Sequence, residues 1–237
     1  MGHEKVERSF VRSLTVEDYV RTCYEIGQKW FDEGSLRSAF LELLASGQTV
    51  ASADNLGSAA RFEHSGRIKH ILGTLREKLG LKLKLSNLPP IPANPDSKKF
   101  TRLVLVVSKV TLQKLVHVQG IINYLNLDKV RVIVQTPNAP LYWLWMQAGE
   151  CYQSQSVDAA TALFAPYERG ATAKEGLFLH LYNPEILNNC YMDFAGSRGG
   201  DGRAPCLNRW HGRPRLGADY PGNVFSCYGA VSCGSSA

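Results

Sequence analysis

The sequence predicts an α+β protein: a helical N-terminal section, then an α/β domain that ends in a long, loop-rich segment. Three observations carry this. Apolar residues recur at helical spacing up to about residue 85, most clearly at Ile68, Ile71, Leu72, Leu75 and Leu79. Pro89, Pro90, Pro92 and Pro95 then interrupt regular structure. Beyond them, short β-branched and aromatic runs alternate with helical stretches.

In chain order, Thr15 caps a first helix through Tyr19, Val20, Cys23, Ile26 and Trp30, with Glu17 and Asp18 in its first turn. Gly34 stops it, and Ser35 caps a second helix through Leu36, Phe40, Leu43 and Leu44, closed by Gly47. Asp54 caps a third through Leu56, Ala59, Ala60 and Phe62. The fourth has the apolar face named above, and Gly80 sits where a C-terminal glycine belongs. Its other face carries Arg67, Lys69, His70, Arg76 and Lys78. Residues 81–85 alternate leucine with lysine, the period of a short half-buried strand.

Residues 86–99 read as a Pro-rich linker between a helical domain, residues 1–85, and a second domain, residues 100–237. In the latter, residues 102–108 predict a buried strand, 112–125 a helix and 130–135 a second strand, together a parallel crossover unit. Residues 140–146 are aromatic and apolar. Ser156 caps a short helix through Ala165, and residues 176–182 predict another apolar strand.

Apolar residues make up 44% and charged residues 20% of the 237, the composition of a chain with a packed core. The net charge of +6 suits an acidic partner, but no run of five basic residues occurs. Residues 1–12 are polar, and no stretch of about 18 apolar residues exists, so neither secretion nor membrane insertion is expected. The six cysteines form no CxxC pair. Reduced thiols, a cytoplasmic address, and no metal or other cofactor are the expectations.

Residues 199–237 use a restricted alphabet. They contain no Lys, Glu, Gln, Met, Ile or Thr. Such a segment has too little aliphatic content for a core of its own and must lie against the preceding body. Within it Arg209, His211, Arg213 and Arg215 fall on odd positions, and Trp210, Gly212, Pro214 and Leu216 on even ones. An extended chain would thus have one basic face and one face packed inward, with Pro214 restricting it to an edge strand or loop. Arg, Tyr, Ser and Gly are also the residues of binding surfaces, combining rigid contact area with adaptable hydrogen bonds.

The stretch Asp219-Tyr220-Pro221-Gly222-Asn223-Val224-Phe225-Ser226-Cys227-Tyr228-Gly229-Ala230 resembles the closing segment of C-type-lectin-fold proteins related to formylglycine-generating enzymes. Pro221, Asn223 and Gly229 stand in for its frame, with Gly196, Ser197, Arg198 and Trp210 as upstream scaffold. The Gly-Gly-Ser-Trp runs of that branch are absent. More specifically, the tail is similar to the variable region of a protein diversified by a diversity-generating retroelement. There adenine mutagenesis turns Asn codons into many residues but never Lys, Glu, Gln, Met or Trp. The resemblance implies a C-type-lectin-like domain over residues 100–237 with a variable region at about 199–237. It also implies noncovalent binding of a protein or other macromolecular ligand. The variable contacts would be Arg203, Arg209, His211, Arg213, Arg215, Asp219, Tyr220, Phe225, Ser226, Cys227 and Tyr228.

Catalysis finds little support. His180 lies in an apolar run and reads as a core residue; His64, His70 and His117 lack a partner at ligand spacing. Residues 196–202 are glycine-rich but lack a phosphate-loop lysine. Cys206 or Cys233 would act as nucleophile only beside a base, and nothing in the spacing pairs Asp193 with Asp201. The rival function is nucleic-acid binding by the helical section, with residues 81–85 as the wing of a winged-helix-like unit. The same section could instead make a homo-oligomer.

Overall fold

The computed structural model describes residues 64–234; the helices expected around Thr15, Ser35 and Asp54 lie outside the described residues. Helix α1, Ser65–Leu79, buries Ile68, Ile71 and Leu75 and ends at Gly80, whose φ of 69° is the left-handed turn glycine allows. The strand expected at residues 81–85 does not form. Residues 81–84 run on without a ladder partner, and the chain enters a 3-10 turn, Leu85–Asn87. Leu81 and Leu83 instead pack against the core edge. Alternation marks a half-buried extended chain, and a strand needs a neighbour as well.

The Pro-rich stretch is not a free linker. Leu88 and Ile91 are buried, Trp143 Nε1 donates to the Pro89 carbonyl at 3.0 Å, and Trp145 Nε1 donates to the Pro92 carbonyl at 2.9 Å. Proline fixes an extended backbone whose carbonyls remain unpaired, and the two indoles use them. The stretch is a strap, and α1 shares the core it covers. All of the described residues fall in one unit, so the boundary expected between residues 85 and 100 is not there.

Strand β1, Arg102–Val107, is followed by α2, Leu112–Val118, capped by Thr111. Gly120, at φ 60°, turns the chain after α2, leaving the helix shorter than the expected 112–125. Strands β2, Ile122–Asn123, and β3, Arg131–Val132, are brief; β4, Leu141–Gln147, holds the aromatic run. Helix α3, Val157–Ala162, is capped by Ser156 as expected, and β5 is Glu168–Gly170. Residues 176–182 belong to helix α4, Ala173–Tyr182, not to a strand. A capping box between Thr172 and Glu175 starts α4, and burial of nearly its whole surface removes the amphipathic period that identifies helices.

The remaining strands are β6, Tyr191–Asp193; β7, Ser197–Arg198; β8, Ala204–Trp210; β9, Arg213–Asp219; β10, Tyr228–Ala230; and β11, Ser232–Gly234. The tail is therefore largely strand, with its longest loop at residues 220–227. One sheet has the order β1-β4-β11-β5, antiparallel throughout. The second has the order β10-β6-β8-β9-β2, and β3 pairs with β7. The expected parallel crossover is absent among the described residues: β1 pairs antiparallel with β4, and β3 antiparallel with β7. The short α2 leads the chain to the second sheet, where β2 joins β9. One core joins both sheets, from Val104 and Trp145 to Leu207 and Leu216. The fold is α+β.

Candidate recognition face

The tail enters the second sheet as a hairpin. His211 and Gly212 have φ of 47° and 77°, the paired positive values of a type I′ two-residue turn. This turn decides which side chains share a face. It pairs Trp210 with Arg213, Arg209 with Pro214, Asn208 with Arg215 and Leu207 with Leu216. Odd and even positions are thereby mixed, which overturns the basic face expected of one continuous extended segment. Arg213 and Arg215 share a face with Trp210. Arg209 lies on the opposite face, where its guanidinium donates to Asn188 Oδ1. His211 occupies the turn, its ring 4.9 Å from that of Trp210. Leu207 and Leu216 hold the core side.

The face turned from the core carries Tyr191 and Asp193 from β6, Cys206, Asn208 and Trp210 from β8, Arg213, Arg215, Gly217 and Asp219 from β9, and Tyr228 from β10. Tyr124 joins them, anchored by its backbone N–H to the Leu216 carbonyl at 3.0 Å. A polar chain ties the strands together. Arg215 Nε donates to Asn208 Oδ1 at 3.0 Å, and the Asn208 amide donates to the Tyr228 hydroxyl. The Arg215 guanidinium lies 4.8 Å from the Trp210 ring centre and 5.9 Å from that of Tyr124, both within cation–π range. Tyr228 meets Tyr191 and Phe225 at ring separations of 5.1 and 5.3 Å. Arg203 pairs with Asp201 at 2.6 Å and lies 6.0 Å from the Tyr220 ring centre. Of these, Tyr124, Arg203, Cys206, Asn208, Arg215, Asp219 and Tyr228 line a concavity of 220 Å³.

The predicted contacts divide accordingly. Arg203, Arg215, Asp219 and Tyr228 line the concavity; Arg213 stands beside it, Phe225 packs on Tyr228, and Tyr220 is 65% exposed. Ser226 and Cys227 occupy the turn before β10, where the Ser226 carbonyl accepts from Ser154 Oγ and the Cys227 carbonyl from the Tyr191 N–H. Arg209 does not join them. Among the residues expected to be scaffold, Gly196 and Gly229 admit no side chain: a Cβ would lie 2.5 Å from the Gly170 carbonyl oxygen and 2.1 Å from that of Gly149. Ser197 Oγ accepts from the Ala173 N–H, and Arg198 donates to the Ala195 and Ser197 carbonyls. The Pro221 carbonyl accepts from the Asp158 N–H, and Asn223 donates to Asp219 Oδ1. Trp210 differs from its expected role. It is 50% exposed and forms a wall of the face, because the turn sets it opposite Arg213 on the outer side.

Sequence reading missed Tyr124, Asn208 and Tyr191, and weighed Asp193 only as a partner for Asp201. Only Asp193 left a signal, a carboxylate between Met192 and Phe194 in an apolar stretch. It is 7% exposed, and burial, reinforced by the charge of Asp219, pushes its pKa up to about 7. Its electrostatic neighbour is thus Asp219; Asp201 pairs with Arg203. Burial pushes the Cys206 thiol up to about 12, so it is protonated at neutral pH and a poor nucleophile. His180, held by Gln119 at 2.6 Å, is pushed down to about 4 by burial and is a neutral core residue, here on helix α4. Among the described residues no three His, Cys, Asp or Glu side chains gather to hold a metal ion, and no helix is long and apolar enough to cross a membrane.

The fold and this face define an α+β protein with an arginine- and aromatic-lined sheet surface. Comparison with family models, curated proteins and solved structures gives no match.

Proposed function

We propose that this chain is a noncovalent, non-enzymatic ligand-binding protein whose face is diversified by a retroelement on a C-type-lectin-like scaffold. One observation carries the reading. Residues of the restricted alphabet, Arg203, Arg213, Arg215, Asp219 and Tyr228, converge on the outer face of a sheet whose inner face, Leu207 and Leu216, is core. Exposed side chains on that face, such as Arg213, can change without altering packing, whereas Gly196 and Gly229 cannot change at all. Arginine supplies directional pairing and the tyrosines amphipathic area. A cytoplasmic setting suits the free thiols of Cys151, Cys190, Cys206, Cys227 and Cys233.

Sequencing the encoding locus tests the proposal. The expected result is a neighbouring reverse transcriptase and an imperfect copy of the codons for 199–237. Adenine differences should fall at Arg203, Arg213, Arg215, Asp219, Tyr220, Phe225 and Tyr228, and none at Leu207, Leu216 or Gly229. Differences scattered equally over core codons, or no copy at all, would remove the diversification. A mobility-shift titration against salt tests the rival reading. Tight, salt-sensitive nucleic-acid binding that survives substitution of the face arginines would favour it.

A further inference from the structure

We infer that the end of the concavity at Arg215 seats a carboxylate, an acidic side chain presented by the protein ligand. The inference rests on the recognition-face reading and names what this copy of the face accepts.

The guanidinium is fixed before any ligand arrives. Its Nε donates to Asn208 Oδ1 at 3.0 Å, and Asn208, 3% exposed, is held in turn by the Tyr228 hydroxyl. The Trp210 and Tyr124 ring centres lie 4.8 and 5.9 Å from it. These contacts leave its two Nη groups over. No acceptor among the described residues takes a hydrogen bond from them, and no ion pair there includes Arg215. Asn208, Tyr124 and Tyr228 line the same concavity as Arg215, so the open fork stands at its wall. A guanidinium held by its Nε with the fork open is pre-organised for a carboxylate. The two parallel charge-assisted bonds then form with little loss of side-chain freedom.

The distribution of charge selects the sign. Arg213, exposed and two residues before Arg215 on the same face of β9, adds a second positive charge at this end. The other guanidinium of the lining, Arg203, is held by Asp201. The carboxylates of the face stand further along. Asp193 is level with Gly217 through Cys206, and Asp219 is two residues beyond Gly217, where Asn223 donates to it and Arg203 feels its charge. Four residues of extended strand put Asp219 about 13 Å from Arg215 along β9. One uncompensated guanidinium in the lining matches a single negative charge.

The space selects how that charge is carried. Cys206 and Gly217, register partners and both small, form the floor next to Arg215. At 220 Å³ the concavity is below the roughly 300–1,000 Å³ of drug-sized sites, suiting the end of one side chain. A carboxylate on a short alkyl stem enters it end-on, whereas a phosphodiester carries chain on both sides of its charge. Tyr124 and Tyr228 offer ring surface to the stem.

The test follows the Arg215 Nε–H and the Asn208 side-chain amide of the full chain by heteronuclear NMR at pH 6.5. The probes are N-acetyl-glutamate amide, its neutral isostere N-acetyl-glutamine amide, and a thymidine dinucleotide, one phosphodiester between two nucleosides. Glutamate should shift both resonances saturably, binding at least tenfold tighter than glutamine and at least fivefold tighter than the dinucleotide. Arg215→Gln, read at the Asn208 amide, should abolish the preference for glutamate over glutamine. Arg215→Lys, which keeps the charge without the fork, should weaken glutamate at least fivefold. Lys114→Gln, which removes an exposed charge from α2, should leave it unchanged. Thermal melts establish that each variant is folded, and the comparison of glutamate with glutamine in the unaltered chain needs no variant. Equal binding of glutamate and glutamine, a preference that survives in folded Arg215→Gln, or no saturable response overturns the seat. Dinucleotide binding as tight as glutamate assigns the fork to a nucleic-acid phosphate and overturns the acidic side chain. A glutamate-specific response without a template copy at the locus would remove the diversification alone. Charge-independent probe binding beside an intact template copy would remove the carboxylate seat alone.

Discussion

At the scale of single residues, Asp193 makes the stability of the fold depend on pH. Its pKa is about 7 in the folded protein against an ordinary 3.8, so between those values the folded state binds more protons than the unfolded. Stability is therefore lost as pH rises from about 4 to about 7, and the loss is complete above 7. Asp193→Asn removes the ionisation. It should stabilise the protein at pH 8 by up to about 4 kcal/mol, since a tenfold change in proton affinity between the two states is worth about 1.4 kcal/mol. At pH 4 it should change little. Thermal melts at the two pH values check this, and equal changes at both would contradict it. A residue whose removal stabilises the fold is the kind retained for another purpose.

Elements depend on their ends. Helix α4 is buried on nearly every side and begins at the capping box of Thr172 and Glu175, with Arg169 bonded to both Glu175 carboxylate oxygens at 2.7 and 2.9 Å. Thr172→Ala should cost about 1–2 kcal/mol, the upper part of the range for caps because this one is buried. A urea titration reads it as a lower midpoint with unchanged slope. The hairpin works in the other direction. His211 adopts φ 47°, which asparagine tolerates better, so His211→Asn should stabilise by about 0.5 kcal/mol. It should also leave the Arg215–Asn208–Tyr228 chain intact, visible as an unchanged Asn208 amide resonance. A destabilised His211→Asn would show that the imidazole contact with Trp210 outweighs the turn.

For the whole molecule, the strap matters most. Residues 86–99 carry Leu88 and Ile91 into the core and offer carbonyls to Trp143 and Trp145, so they resist cleavage that a free linker would suffer. Among the described residues, limited proteolysis should spare them and cut first at the exposed residues 222–227. Trp143→Phe, which removes one indole bond, should cost about 1 kcal/mol and open the strap to protease. Early cutting within 86–99 of the unaltered chain would return that stretch to the status of a linker. The strap also fixes what can be separated: α1, the strap and β1 share one core, and a fragment beginning at Phe100 leaves Val104 and Leu105 without their cover.

Local chemistry was enough to locate α1 with its Gly80 stop, the Ser156 cap, the β1 strand and the unusual alphabet of the tail, because each is written within a few adjacent residues. It was not enough for α4, whose all-round burial erased the helical period, nor for the Leu81–Leu85 alternation, which found no partner strand. The tail shows the division most sharply. Its sequence determined which residue types were available for binding, but the two-residue turn at His211 and Gly212 decided which share a face. It sent Arg209 to the opposite face and brought Trp210 outward. Asn208 entered the site through strand register, and Tyr124 through its backbone bond to Leu216 on the neighbouring strand. Register is a relation between distant segments, so the tertiary structure had to settle it.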